Sequence, residues 1–318
     1  MNRVLKIALS VLLIVLSAVP LMYFLVVAPH QHPLEFKIKL PSALHGQDNS
    51  NNYVTVVLNC SFPEVPKEMP VLEVVRHNYT EAEAMAVARD LFNMTTPLQV
   101  SWGDWGLFVG NRTHKLYLFY EGPVHYWVPT RDWSTKPHLP KPSECKEIAD
   151  RFLEEVRSYG LVPQPIQIEF RGASVQETCW DEIRGSWNVT MSAGYSLKYN
   201  GMPVTESGFA QVIMGDRGRI VEFRGMWRNV KAGRNIQISV SPEQALRNIG
   251  SHIPPNMIPS SPKLEKLIIN NVELAYLVNP PFKKQDELIP VYTFKAVKMF
   301  EDGKKVKCEW LWVPATST

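Results

Sequence analysis

None of the short signatures that mark common catalytic sites occurs in this sequence. A nucleophile elbow, an HExxH zinc helix, a phosphate-cradling P-loop and a GxGxxG dinucleotide turn are all missing from its 318 residues. Each would supply something scattered residues do not: a nucleophile on a strained turn, two imidazoles on one helix face, or backbone N–H groups aimed at phosphate. Cysteine is scarce. Cys60, Cys145, Cys179 and Cys308 are the whole set, and no two stand in CxxC spacing, which argues against a zinc cluster. A large charge of one sign is lacking too. Lys and Arg number 34 against 31 Asp and Glu, and a net charge of +3 is too small to make nucleic acid the main partner. His30 and His32 have no third ligand beside them and read as solvated linker. No metal or cofactor is expected, and the chain is not expected to be an enzyme.

One long uncharged run is present. Residues 7–27 follow Arg3 and Lys6 and would span about 31 Å as a helix, enough for a bilayer core. A cleaved signal peptide has a shorter apolar region, and Ser17-Ala18-Val19-Pro20 is a poor cleavage site with further apolar residues behind it. Residues 1–28 are therefore read as an uncleaved transmembrane anchor. Basic residues ahead of the span hold the N-terminus inside, which makes this a single-pass membrane protein with its C-terminal part outside the cytoplasm. Five N-x-[ST] sequons agree with export and mark candidate glycosylation sites at Asn59, Asn78, Asn93, Asn111 and Asn188. An oxidising exterior permits disulfides. Cys145 falls in the first turn of a predicted helix, and Cys179 follows the first strands of the same unit. A Cys145–Cys179 bond is the expected pairing, ahead of Cys60 with Cys308, and four free thiols are the alternative.

Behind the anchor the pattern is helix then strands, repeated. Residues 29–52 read as a juxtamembrane linker. The first unit, 53–129, opens on a strand near 53–60. Thr80 and Glu83 then form a capping box for a helix to about residue 93, with Ala84, Val87, Ala88 and Leu91 on one stripe. Strands are predicted at 98–102, 105–109, 115–120 and 125–128. Pro137, Pro140 and Pro142 stiffen 130–142 into a linker and a domain boundary. The second unit, 143–240, starts with a helix from Ser143 whose Ile148, Ala149, Phe152, Leu153 and Val156 face inward; Lys146 stands where a Glu or Gln would close its capping box. Strands follow at 166–171, 186–191, 195–199, 208–214 and 219–224, with Asn200-Gly201 and Asp216-Arg217-Gly218 as turns. The third unit, 241–318, opens on Ser241, Pro242 and Gln244 as a helix start, with strands at 272–278, 289–299 and 306–313. Tight turns require antiparallel pairing. The expected fold class is α+β, with repeated helix-plus-antiparallel-sheet modules behind one transmembrane helix.

Nine tryptophans are many for this length. Most are expected to pack helices onto sheets. Trp310 and Trp312 share one face of the last predicted strand and, with Trp227, form the candidate partner patch. Asp104, the pair Asp181 and Glu182, and His125 on its aromatic strand read as turn, surface or core residues rather than catalytic ones.

The stretch YNGMPVTESGFAQVIMGDRGRIVEF, followed by SPEQALRNI, VELAYLVNP and ELIPVYTFKAV, resembles PepSY-type α+β modules and the extracellular regions of YycH/YycI-type regulators of sensor kinases. A polar-tipped hairpin, a strand with glycine near its end, a capped helix and two further strands carry the likeness. It covers 195–318 best and 80–194 only as helix-then-strands. The resemblance implies PepSY-like modules without catalytic residues and a non-enzymatic role: binding a peptide, a peptidase or a membrane sensor and holding it in check. The alternative is a surface module that binds glycan or peptide through exposed tryptophan, and the third reading is an envelope enzyme with an unrecognised site.

Overall fold

The computed structural model describes residues 34–40, 53–95, 97–129, 135–253 and 264–316. In chain order the elements are β1 (Leu34–Lys39), β2 (Tyr53–Leu58), β3 (Glu68–Val74), α1 (Glu81–Ala86) with a π-helical turn (Val87–Leu91), β4 (Gln99–Trp102), β5 (Gly106–Gly110), β6 (Lys115–Phe119) and β7 (Val124–Trp127). There follow α2 (Pro142–Ser158), β8 (Ile166–Asp181), β9 (Gly185–Tyr199), β10 (Met202–Pro203), β11 (Phe209–Met214), β12 (Ile220–Gly225) and β13 (Val230–Gln237). The last are α3 (Pro242–Arg247), α4 (Ile249–His252), β14 (Leu264–Tyr276), β15 (Glu287–Leu288), β16 (Pro290–Phe300) and β17 (Lys305–Pro314).

The helix starts follow from capping chemistry. Glu83 N donates to Thr80 Oγ1 at 3.2 Å and Thr80 N donates to Glu83 Oε2 at 2.7 Å. Ser241 and Gln244 close the same reciprocal box. These contacts satisfy N–H groups that the first helical turn leaves open. The middle helix begins slightly earlier than its sequence suggested. Pro142 takes the first position, and Glu144 Oε2 accepts from Lys141 N at 2.8 Å, so Glu144 closes that end rather than any residue at 146.

Strand dominates, at 49% of the described residues, in three sheets. A nine-stranded sheet runs β10-β9-β11-β12-β7-β6-β5-β4, with β8 also paired to β9. A five-stranded sheet runs β1-β2-β14-β16-β17, and a three-stranded one β13-β3-β15. This overturns the expected row of helix-plus-sheet modules. The strands of residues 53–127 scatter into all three sheets: β2 pairs parallel with β14, β3 pairs with β13, and β7 pairs with β12 across the Pro-rich stretch. The reason is physical. A helix-then-strands order records local propensity, whereas a strand joins whichever neighbour completes its apolar face. β1 lies within the stretch read as linker, pairing Leu34 with Leu58.

The main core lies between α2 and one face of the nine-stranded sheet. Cross-strand register places Val109, Leu116, Tyr126, Phe223, Val212 and Ala193 in one row on that face. Phe152 of α2 meets Phe223 edge-on at 5.1 Å, and Phe92 stacks on Tyr126 at 4.4 Å. Each such side chain contributes about 1.5–3 kcal/mol by leaving water. The expected anchor, residues 1–28, lies outside the described residues. Among those described, no helix is long and apolar enough to cross a membrane.

Candidate functional site

The nine-stranded and five-stranded sheets are joined by one short stretch of backbone. Val204 forms a parallel bridge with Tyr276, and Thr205 N donates to Tyr276 O at 2.9 Å. The Thr205 hydroxyl donates to Val278 O at 3.2 Å and accepts from Val278 N at 2.9 Å, satisfying both backbone groups of a buried residue. Beside this join lies a cleft of about 610 Å³. The nine-stranded sheet contributes Glu169, Arg171, Ser196 and Lys198. On the other wall the register Glu273–Thr293–Trp312 sets three side chains in a row across β14, β16 and β17, with Lys295 beside them. Val204, Leu277 and Pro280 supply apolar lining. Two charge pairs span neighbouring strands: Lys198 Nζ to Glu169 Oε1 at 2.6 Å, and Lys295 Nζ to Glu273 Oε1 at 3.6 Å.

The loop after β14, which also lines the cleft, is clamped by two buried polar side chains. Arg228 Nη2 donates to the carbonyls of Asn279 (3.0 Å), Pro280 (2.8 Å) and Lys283 (3.2 Å). Its Nη1 meets Glu121 Oε2 at 2.6 Å. The Tyr199 hydroxyl donates to Arg228 O at 2.8 Å and accepts from Arg228 N at 2.7 Å. Gln285 Nε2 donates to Leu277 O, while its Oε1 accepts from Asn279 N. Burial pulls the Arg228 guanidinium below its ordinary pKa, against the opposing pull of Glu121, and pushes the Tyr199 hydroxyl up.

The tryptophans singled out from sequence do not form one patch. Trp312 lines the cleft and is half-buried. Trp227 is fully buried against Phe223, and a Cβ at Gly225 would sit 2.4 Å from its ring, so it faces no partner. The Trp310 side chain lies outside the described residues. All four cysteines are free thiols, which overturns the Cys145–Cys179 bond. Lys146, next to Cys145, packs over Phe170, while Cys179 lies nine residues further along β8, toward its far end.

Four of the sequon asparagines, Asn59, Asn78, Asn93 and Asn188, are exposed. Asn111 differs. Its Nδ2 donates to Thr95 O at 2.9 Å, and its Oδ1 accepts from Thr113 N and His114 N, closing the β5–β6 turn. His125 Nε2 lies 3.2 Å from Glu222 Oε1, a carboxylate that Arg224 also holds, and its ring stacks on Trp127 at 4.5 Å. Asp181 forms a tip turn with Arg184 and the N–H groups of Ile183 and Arg184, which hold its carboxyl down at about 2. Except for Trp312, the charged and polar residues of the cleft were not foreseen as a site. They come from strands far apart in sequence and form no short motif.

No protein-family model and no curated protein matches the sequence. Among solved structures, the chain is similar to an uncharacterised protein from Eubacterium rectale, with a TM-score of 0.49 and 9% identity over 88% of this chain and 90% of that one. It is also similar to the Bacillus megaterium YpeB C-terminal domain, with a TM-score of 0.33 and 14% identity over 73% of this chain and 98% of that one.

Proposed function

We propose that this chain is a membrane-anchored, extracytoplasmic interaction protein that holds a stretch of partner polypeptide in the inter-sheet cleft. The observation that carries the reading is the makeup of that cleft: an apolar lining with Trp312, charges paired across strands, and a loop fixed from behind by Arg228. An extended chain offers alternating side chains and backbone polar groups, which suits a slot between sheets. Among the described residues the lining combines serine and threonine hydroxyls with lysines and glutamates, polar groups that can hydrogen-bond to the backbone of an extended segment. The uncharged run at residues 7–27 supports the anchor. A peptide array probed with the detergent-solubilised full-length chain tests the reading. Selective binding that falls more than about tenfold in Trp312→Ala supports it; binding indifferent to that change refutes it.

A second reading has its own observation. Phe108, Tyr117, His125 and Trp127 form a half-buried aromatic array on the sheet face that also carries Ser196 and Lys198, and such rings can stack on sugars. A glycan array that retains the chain, with retention lost in Trp127→Ala, would favour this second site.

A further inference from the structure

Among the described residues, Arg171, Lys198, Lys283 and Lys295 line the cleft against Glu169, Glu206 and Glu273. Lys198 and Lys295 are engaged by Glu169 and Glu273. Arg171 and Lys283 line the same cleft, and neither has a carboxylate partner among the described residues. They reach it from different elements. Arg171 sits at a β-bulge, where the register between β8 and β9 shifts between Phe170 and Gly172. Bulges recur where a strand re-aims a side chain beside a site. Lys283 stands on the clamped loop. Its carbonyl accepts from Arg228 Nη2 at 3.2 Å, which fixes its backbone, while its side chain is exposed.

We infer that the polypeptide segment held in the cleft is acidic, with at least one carboxylate set against Arg171 and Lys283. The inference rests on the cleft being the binding site. A planar guanidinium offers a carboxylate two parallel hydrogen bonds, and a mobile ammonium adds a point charge. A basic residue in the same place meets two like charges, so the two cations attract one class of segment and repel the other. Glu169 and Glu273 are engaged by Lys198 and Lys295, and Glu206 is the third carboxylate of the lining, so four cations face three carboxylates and the cleft keeps one positive charge in excess.

Calorimetric titration of the full-length chain with three end-blocked decapeptides tests this. The peptides alternate Asp with Leu, Asn with Leu, and Lys with Leu. The Asp peptide is expected to bind about tenfold tighter than the Asn peptide, roughly the sum of two exposed ion pairs, with the Lys peptide weakest. Raising the salt should erode that advantage. The double variant Arg171→Gln with Lys283→Gln, both exposed and outside the core, should bring the Asp peptide down to the level of the Asn peptide. Equal binding of the Asp and Asn peptides, or a preference that survives the double variant, overturns the acidic assignment while the cleft reading stands. Binding of none of the three, or binding untouched by Trp312→Ala, overturns the cleft reading itself.

Discussion

Arg228 Nη1 lies 2.6 Å from Glu121 Oε2, and the two side chains are only 1% and 8% exposed. Glu121 belongs to the β6–β7 turn and Arg228 to the segment after β12, while the same guanidinium clamps the loop that follows β14. One buried charge pair thus ties the nine-stranded sheet to the cleft wall on its far side.

Breaking that pair from one side leaves an uncompensated buried charge or a set of orphaned carbonyls. Glu121→Gln is expected to cost about 3–5 kcal/mol in urea unfolding, and Arg228→Met at least as much. Hydrogen exchange should rise in residues 277–285 in the Arg228 variant. Replacing both partners together with Leu and Met should recover part of the loss, because two apolar groups need no partner. A loss below about 1 kcal/mol for Arg228→Met would show that the clamp holds nothing.

Alkaline pH offers an independent check on the core. Burial pushes the Tyr79, Tyr126, Tyr276 and Tyr292 hydroxyls up to about 12, from 10.0 in the unfolded chain. The fold favours their protonated form, so this stabilisation is complete below pH 10 and is lost as pH rises toward 12. Ultraviolet titration should show these tyrosinates forming together with unfolding inside that window. Ordinary, non-cooperative titration near 10 would contradict the burial described.

The helices and most turns were legible because their causes are local. Thr80 with Glu83 and Ser241 with Gln244 are capping boxes in sequence and in space. Asn200 and Gly201 turn with φ of 50° and 80°, as tight hairpins need. What was not legible is pairing between distant segments. Nothing in LEFKIK shows that Leu34 will face Leu58, and nothing in residues 68–74 points to β13. The turn at Asp181 was hidden inside a hairpin whose two halves read as separate short strands. Trp227 gave no sign of burial, because its cover comes from Phe223 and from the side-chain space left open at Gly225. The cleft escaped for the same reason: Glu273, Thr293 and Trp312 become neighbours only through register.

The thiols should count as four per chain in denaturant without reductant. In the native protein Cys145 should react slowly, because it is buried and because burial and Glu144 push its thiol up, away from the reactive thiolate. Half-buried Cys179, near the hairpin tip, should react sooner. Fewer than four thiols, or a peptide linking Cys145 to Cys179, would contradict the structure.

If the inter-sheet cleft holds polypeptide, obstructing the cleft removes binding. Ser196 stands half-buried on its β9 wall, so Ser196→Trp places an indole in the space a ligand needs. Titration of the full-length chain with the tightest peptide from the array should show that variant losing more than about tenfold in affinity at an unchanged melting temperature, while Trp180→Ala, at the exposed β8–β9 tip, binds as the parent chain does. Unchanged affinity in Ser196→Trp would place the bound polypeptide elsewhere on the molecule.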